Sequence, residues 1–233
     1  MVNSNYREVL KSGLVFHSQP IVRLYDKHVV GYELLARLKI GDSIVAPDVF
    51  LSDIEKEGLF SILDMKLAES VEKHIMNTGN SFISINVPSS SSLEYFMSIP
   101  FFIDNAHRIR LELLESVEWS DPEVLPVVER ASKIGFHILI DDFGSGLSNL
   151  KTLLSSSIDG VKFDRGVLEA FMVEKKFDVL DRLVNLVLSL NKGVVLEGIE
   201  SKKHERFVEK LNNVSLCQGY LYGRPELLSY EQH

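Results

Sequence analysis

The order of apolar segments along this chain of 233 residues predicts a single α/β domain, a TIM-like (β/α)8 barrel with its first strand antiparallel. Three observations carry that expectation. Eight short runs are rich in β-branched or aromatic residues and are bounded by Gly, Pro, Asn or Asp. Longer segments between most of them have helical periodicity. The first two runs are joined only by Tyr25-Asp26-Lys27, too few residues for a crossover helix, so they pair antiparallel. An open doubly wound sheet is the alternative that the same alternation allows.

The strand-like runs cover residues 14–19, 28–35, 82–87, 109–113, 137–140, 160–163, 194–196 and 214–217. After the opening hairpin, Pro47 suits a first helical turn, and Gly58 separates two helices. Leu63, Leu67, Val71 and Ile75 then step by four along one helix face. Phe177, Leu180, Val184, Val187 and Leu188 do the same on a later helix. The remaining connections are long enough for right-handed βα crossovers. No fixed-period repeat and no linker rich in Pro, Gly and Ser divides the chain, so residues 1–233 read as one domain.

Composition narrows the function. Hydrophobic residues make up 45% and charged residues 25%, as expected of a folded chain. With 33 Asp and Glu against 25 Lys and Arg the net charge is -8. That excess argues against a polymeric nucleic acid as partner, because counterion release needs clustered cations. At first sight it also argues against any anionic ligand. The lone Cys217 rules out a disulfide framework and a thiolate zinc site. No start resembles a secretory leader, and no apolar run approaches the roughly 20 residues of a membrane span. A reducing cytoplasmic setting is the expectation.

Position matters more than composition. Glu33, Asn86, Glu112, the pair Asp141-Asp142, Lys162, Glu197 and Gln218 each stand at or near the carboxyl end of a strand-like run. In a barrel those ends converge on the face that carries the active site. Asp and Asn also end strands as turn residues and caps, so independent caps and turns are the bland alternative, harder to sustain at seven strands together. Carboxylates and an amide, without a His or Cys cluster, are hard oxygen ligands suited to Mg²⁺ or Mn²⁺. Adjacent Asp141 and Asp142 suggest two ions, which would clamp a phosphoryl displacement. Lys162 would orient water or offset phosphate charge there; a strand-end lysine also has a plain snorkelling reading. No Walker loop, GxGxxG, GxSxG or HExxH occurs. Cys217, His137 and Phe101-Phe102 read as core or rim residues, and Glu55-Lys56-Glu57 as a solvated helix face.

Along nearly its whole length the chain resembles the EAL-domain cyclic di-GMP phosphodiesterases. Gln19-Pro20-Ile21-Val22 resembles the family's opening strand, and Gly31-Tyr32-Glu33-Leu34-Leu35-Ala36-Arg37 its signature, with Leu34 in place of Ala. Ile85-Asn86-Val87 and Leu111-Glu112-Leu113-Leu114-Glu115-Ser116 follow. Then come Asp141-Asp142-Phe143-Gly144-Ser145-Gly146-Leu147-Ser148, Val161-Lys162-Phe163-Asp164-Arg165 and Leu196-Glu197-Gly198-Ile199-Glu200-Ser201. Gln218-Gly219-Tyr220 with Arg224-Pro225 closes the set.

The resemblance implies hydrolysis of cyclic di-GMP to linear pGpG with two Mg²⁺ or Mn²⁺ ions. By position, Glu33, Asn86, Glu112 and Asp141 would bind the first ion, and Asp141, Asp142 and Glu197 the second. Lys162 would hold the attacking water, with Glu200 and Gln218 in support. Arg37 would contact a substrate phosphate, Gln19 a guanine edge, and Asp164 would face the site. Glu115 would brace the loop that Gly144 and Gly146 let fold. The resemblance also implies a homodimer formed beside residues 141–148. Leu34, Leu114, Leu147 and the serines at 89–92 depart from the family pattern without removing a ligand. A non-catalytic receptor for cyclic di-GMP or a protein-interaction module is the alternative, and a broader phosphodiesterase a third. Eight of the 33 acids fall in the inferred site, so the charge excess no longer excludes an anionic ligand.

Overall fold

The barrel opens with a hairpin longer than its sequence signal. Strands β1 (Leu14–Arg23) and β2 (Val29–Ile40) pair antiparallel from Leu14 opposite Leu38 to Val22 opposite Val29. The register sets Gln19 directly across from Glu33. The computed structural model describes residues 4–114, 122, 124–144, 150–211 and 214–227. Two elements were not foreseen. Helix α1 (Ser4–Gly13) precedes the hairpin and buries Leu10, and a short strand β3 (Ser43–Val45) folds back on the end of β2 through the Gly41-Asp42 turn.

The helices α2 (Pro47–Lys56) and α3 (Phe60–Asn77) part at Gly58, with Pro47 in the first turn of α2. Strand β4 (Phe82–Val87) returns parallel to β2. Then follow α4 (Ser90–Met97), α5 (Pro100–Asp104), β5 (Ile109–Leu114), α6 (Leu125–Ile134), β6 (His137–Phe143), α7 (Leu150–Leu153) and β7 (Gly160–Phe163). The chain continues through α8 (Arg165–Val173), α9 (Phe177–Ser189), β8 (Gly193–Leu196), α10 (Lys202–Val208) and β9 (Leu216–Gln218). Strands β2, β4, β5, β6, β7, β8 and β9 run parallel in that order, and β1 closes the ring by pairing antiparallel with both β2 and β9. This is a closed eight-stranded barrel, with β3 as an outer extension.

Burial explains the strand chemistry. All four residues of β7 are buried, including Lys162, as befits a parallel strand covered on both faces. Outside the barrel, Leu63, Leu67, Val71 and Ile75 of α3 and Leu180, Val184 and Val187 of α9 turn their periodic faces to the sheet. Phe102 is buried and stacks on Phe96 at 5.4 Å, so at least this member of the Phe101-Phe102 pair is core. Cys217 is likewise buried, with its thiol pushed up to about 12 by that burial. Ser89 caps α4 by accepting from Ser92 N at 3.1 Å, so the serine run at 89–92 serves as a helix start. Among the described residues no helix is long and apolar enough to cross a membrane.

Candidate active site

Lys162 defines the site. Its side chain is 1% exposed and its Nζ lies 2.7 Å from Glu197 Oε1, 2.9 Å from Glu112 Oε2, 3.2 Å from Asp141 Oδ1 and 3.3 Å from Glu33 Oε2. Glu112, Asp141 and Glu197 come from the carboxyl-terminal half of their strands or just beyond, whereas Glu33 stands inside β2, which runs on to Ile40, past the end its sequence signal gave. The polar ring expected from sequence thus converges around one ammonium. Asn86 Nδ2 donates to Glu33 Oε1 at 3.0 Å, and Gln218 Nε2 donates to Glu33 Oε2 at 2.6 Å. Gln218 Nε2 also lies 3.1 Å from Gln19 Oε1, and Ser84 Oγ donates to Glu112 Oε1.

Asp141 and Asp142 are adjacent, and in a regular strand they would point to opposite faces. The β6–β7 register shifts between Ile140 and Phe143, and Asp142 takes a positive φ of 53°. This bulge turns both carboxylates to one mouth, where oxygens of Asp141, Asp142 and Glu197 all lie within 4.8 Å of one another. The next residue but one, Gly144, has φ +93° and continues the turn away from the strand.

The electrostatics follow from crowding. Burial alone would neutralise Lys162, but Asp141, Glu112, Glu197 and Glu33 outweigh it and hold the ammonium well above its ordinary value. Burial and the neighbouring Glu33 push Glu112 well above the usual carboxylate range. Burial also raises Glu197 to about 8, and together with Asp141 raises Asp142 to about 6. Glu33 goes the other way, since Lys162, Gln218 and Asn86 overcome the cost of its burial. Five carboxylates around one cation are therefore under-compensated unless they keep protons or gain cations. The donor set fits a divalent ion: it is all oxygen and amide, and among the described residues Gln218 Oε1 is buried without a hydrogen-bond donor, while Asp141 Oδ1 has the Lys162 ammonium at 3.2 Å but no hydrogen bond.

A cavity of about 880 Å³ opens over this floor. Gln19, Glu33, Asn86, Asp141, Asp142, Lys162, Glu197, Glu200 and Gln218 reach its wall. Leu34, Leu51, Phe60, Leu63 and Leu67 add apolar lining, together with Ser52 and Glu55. Glu55 is exposed as its sequence suggested, yet it also lines the cavity. Arg165 and Tyr220 also line the cavity, though sequence reasoning gave them no role; their only signal was their place beside Lys162 and Gln218.

Other inferred site residues sit apart from the floor. Arg37 is partly buried and donates through Nη1 to Ala36 O at 2.7 Å. Asp164 caps α8, its Oδ1 accepting from Gly166 N at 2.7 Å. Glu200 is paired with Arg165. Glu115 and Gly146 lie outside the described residues, as do Leu147 and Ser148.

Comparison with known proteins bears on the family and the fold. The EAL domain family model matches residues 3–225. The chain is 32% identical over 220 residues to the probable cyclic di-GMP phosphodiesterase PdeB of Escherichia coli K12, covering 89% of this chain but 42% of that protein. It therefore spans well under half of that curated relative. Among solved structures, the PaMucR phosphodiesterase in complex with c-di-GMP aligns with a TM-score of 0.81 and 27% identity, over 95% of this chain and 96% of that one. An EAL domain protein from Listeria monocytogenes EGD-e aligns with a TM-score of 0.83 and 26% identity, over 97% of this chain and 95% of that one.

Proposed function

The chain belongs to the EAL domain family, and on that premise we propose that it is an active phosphodiesterase that hydrolyses cyclic di-GMP to linear pGpG. The observation that carries the proposal is Lys162 within 3.3 Å of four carboxylates brought in by four different strands, with Asp142 turned to the same mouth.

In this reading Glu33, Asn86, Glu112 and Asp141 hold one divalent ion, Mg²⁺ or Mn²⁺, and Asp141, Asp142 and Glu197 hold a second. Ions bound there would supply polarisation of the phosphodiester and activation of a water at neutral pH. The chain's own groups do the rest. Lys162 keeps the carboxylates in register and presents an N–H to the attacking water. In the metal-free chain burial raises Glu197 to about 8, so near neutral pH it keeps a proton that ion binding would displace. Gln218 fixes Glu33 and ties it to Gln19, whose amide reaches the cavity where a base edge would lie. Arg37 contacts a substrate phosphate after turning from Ala36 O, and Glu200 closes the mouth.

The test is product analysis by chromatography with micromolar cyclic di-GMP and saturating Mn²⁺. The expected result is pGpG, lost in Glu33→Ala and in EDTA. Tight nucleotide binding in EDTA with no hydrolysis in Mn²⁺ would replace this reading with a receptor module. Equal turnover of cyclic mononucleotides would replace it with a broad phosphodiesterase.

A further inference from the structure

The turn at residues 197–200 leads from β8 to α10 and is held from two sides. On the β9 side, Ile199 N donates to Gln218 O at 3.1 Å, and Leu221 N donates to Ile199 O at 3.0 Å. Nδ1 of His204 lies 3.0 Å from Gly198 O and 3.2 Å from Glu200 N. On the β7 side Arg165, the first residue of α8, reaches the turn. Its Nη1 donates to Glu200 Oε1, and its Nε donates to Glu169 Oε1 at 2.8 Å. Its methylene stem lies against Gly198, which has φ +70°; a Cβ there would fall 2.5 Å from Arg165 Cβ and Cγ.

Arg165 thus touches the turn just after Glu197 and again at Glu200. Glu197 is the acid that joins Asp141 and Asp142 in their shared cluster. The Arg165 side chain is 50% exposed, so its ion pairs contribute little to stability. What the planar guanidinium does offer is direction, since it engages two carboxylates at fixed angles. We propose that Arg165 is a positioning residue: it sets the turn so that Glu197 faces Asp141 and Asp142, and it holds Glu200 at the mouth of the cavity. The proposal rests on the reading of those three acids as a divalent-metal site.

The test is Mn²⁺ titration of the whole chain, following the free-ion signal by electron paramagnetic resonance, which needs no turnover. Arg165→Ala is expected to weaken Mn²⁺ binding about tenfold, the usual scale for losing a group that orients a ligand. Arg165→Met keeps the stem on Gly198 and loses the guanidinium, so it should fall between wild type and Ala. Arg165→Lys should recover part of the loss. Raising Mn²⁺ should restore kcat in Arg165→Ala with KM unchanged.

Thermal unfolding of the metal-free variants separates positioning from damage to the fold; if Arg165→Ala fails to fold, Arg165→Met decides. Wild-type Mn²⁺ affinity in both variants would overturn the inference while leaving the proposed activity standing. So would a raised KM with unchanged ion affinity, which would make Arg165 a substrate contact. Weaker Mn²⁺ binding in a chain whose wild type hydrolyses nothing would uphold the inference and sink the activity. A wild type that binds no Mn²⁺ overturns both.

Discussion

A buried ammonium among carboxylates makes Lys162 a stability residue as well as a site residue. Removing one member of such a group strands the others, at a cost of about 3–5 kcal/mol. Lys162→Met should therefore lower the metal-free unfolding free energy read from urea denaturation by that much, with a lower midpoint, and saturating Mn²⁺ should recover most of it because the ions take over the charge. An unchanged midpoint in metal-free protein would contradict the buried cluster. The protons tell the same story. Glu197 at about 8 and Asp142 at about 6 keep protons that the unfolded chain has already released. Their contribution to stability is full below about pH 4 and is lost as pH rises through about 6 and then 8. The metal-free protein should consequently melt at lower temperature at pH 8 than at pH 5 through this cluster, and added Mn²⁺ should flatten the slope. These strand-end acids were legible in the sequence because a strand's carboxyl end has a fixed place in a barrel. The pairing of Glu200 with Arg165 and the membership of Glu55 in the cavity were not, since both depend on how neighbouring loops and helices meet.

At the scale of elements, the bulge in β6 does what alternation forbids. Sequence reading placed Asp141 and Asp142 together at a strand end but had no signal for the positive φ that turns them to one side. Asp142→Ala loses the carboxylate and keeps a Cβ in a left-handed conformation, which costs roughly 1–2 kcal/mol. Asp142→Gly loses the same carboxylate without that strain. Glycine should therefore be the more stable of the two by about 1 kcal/mol in chemical unfolding, with hydrolysis impaired in both. Equal stability would argue that the bulge is relaxed. On β2, Glu33 points into the barrel and Leu34 outward, where it is 2% exposed against the helical layer. Leu34→Ala, which restores the usual family residue, should cost about 2–5 kcal/mol as a buried truncation. The hairpin's extension to β3 carried a readable signal in Gly41-Asp42, a two-residue turn between Ile40 and Ser43. Helix α1 had none as clear, being ten residues that bury Leu10.

For the whole molecule, the formal charge of -8 describes the chain without bound ions. Divalent ions that bind only the folded state should stabilise it by about 2.7 kcal/mol at a hundredfold excess over Kd. For a chain of this size that is a rise in melting temperature of roughly 5–10 °C. Calorimetry with Mn²⁺ and with the same concentration of NaCl would separate site binding from screening, and equal shifts would refute a built site. The fold class was legible because short apolar runs alternating with helical periods have few solutions. The ring closure was legible only in part: the short Tyr25-Asp26-Lys27 turn signalled β1 against β2, but nothing local signalled β1 against β9.

That last pairing has a consequence for synthesis. Glu33 sits near the start of the chain, yet its 2.6 Å partner Gln218 is 185 residues later. β9 also supplies the strand that seals β1 into the ring. A nascent chain leaving the ribosome exposes Glu33, Glu112, Asp141 and Lys162 long before β9 is made. It cannot gather them into a finished site until the final strand is in place. Translation stopped short of residue 218 should yield no fragment with partial activity, so the site is all or nothing with respect to chain length.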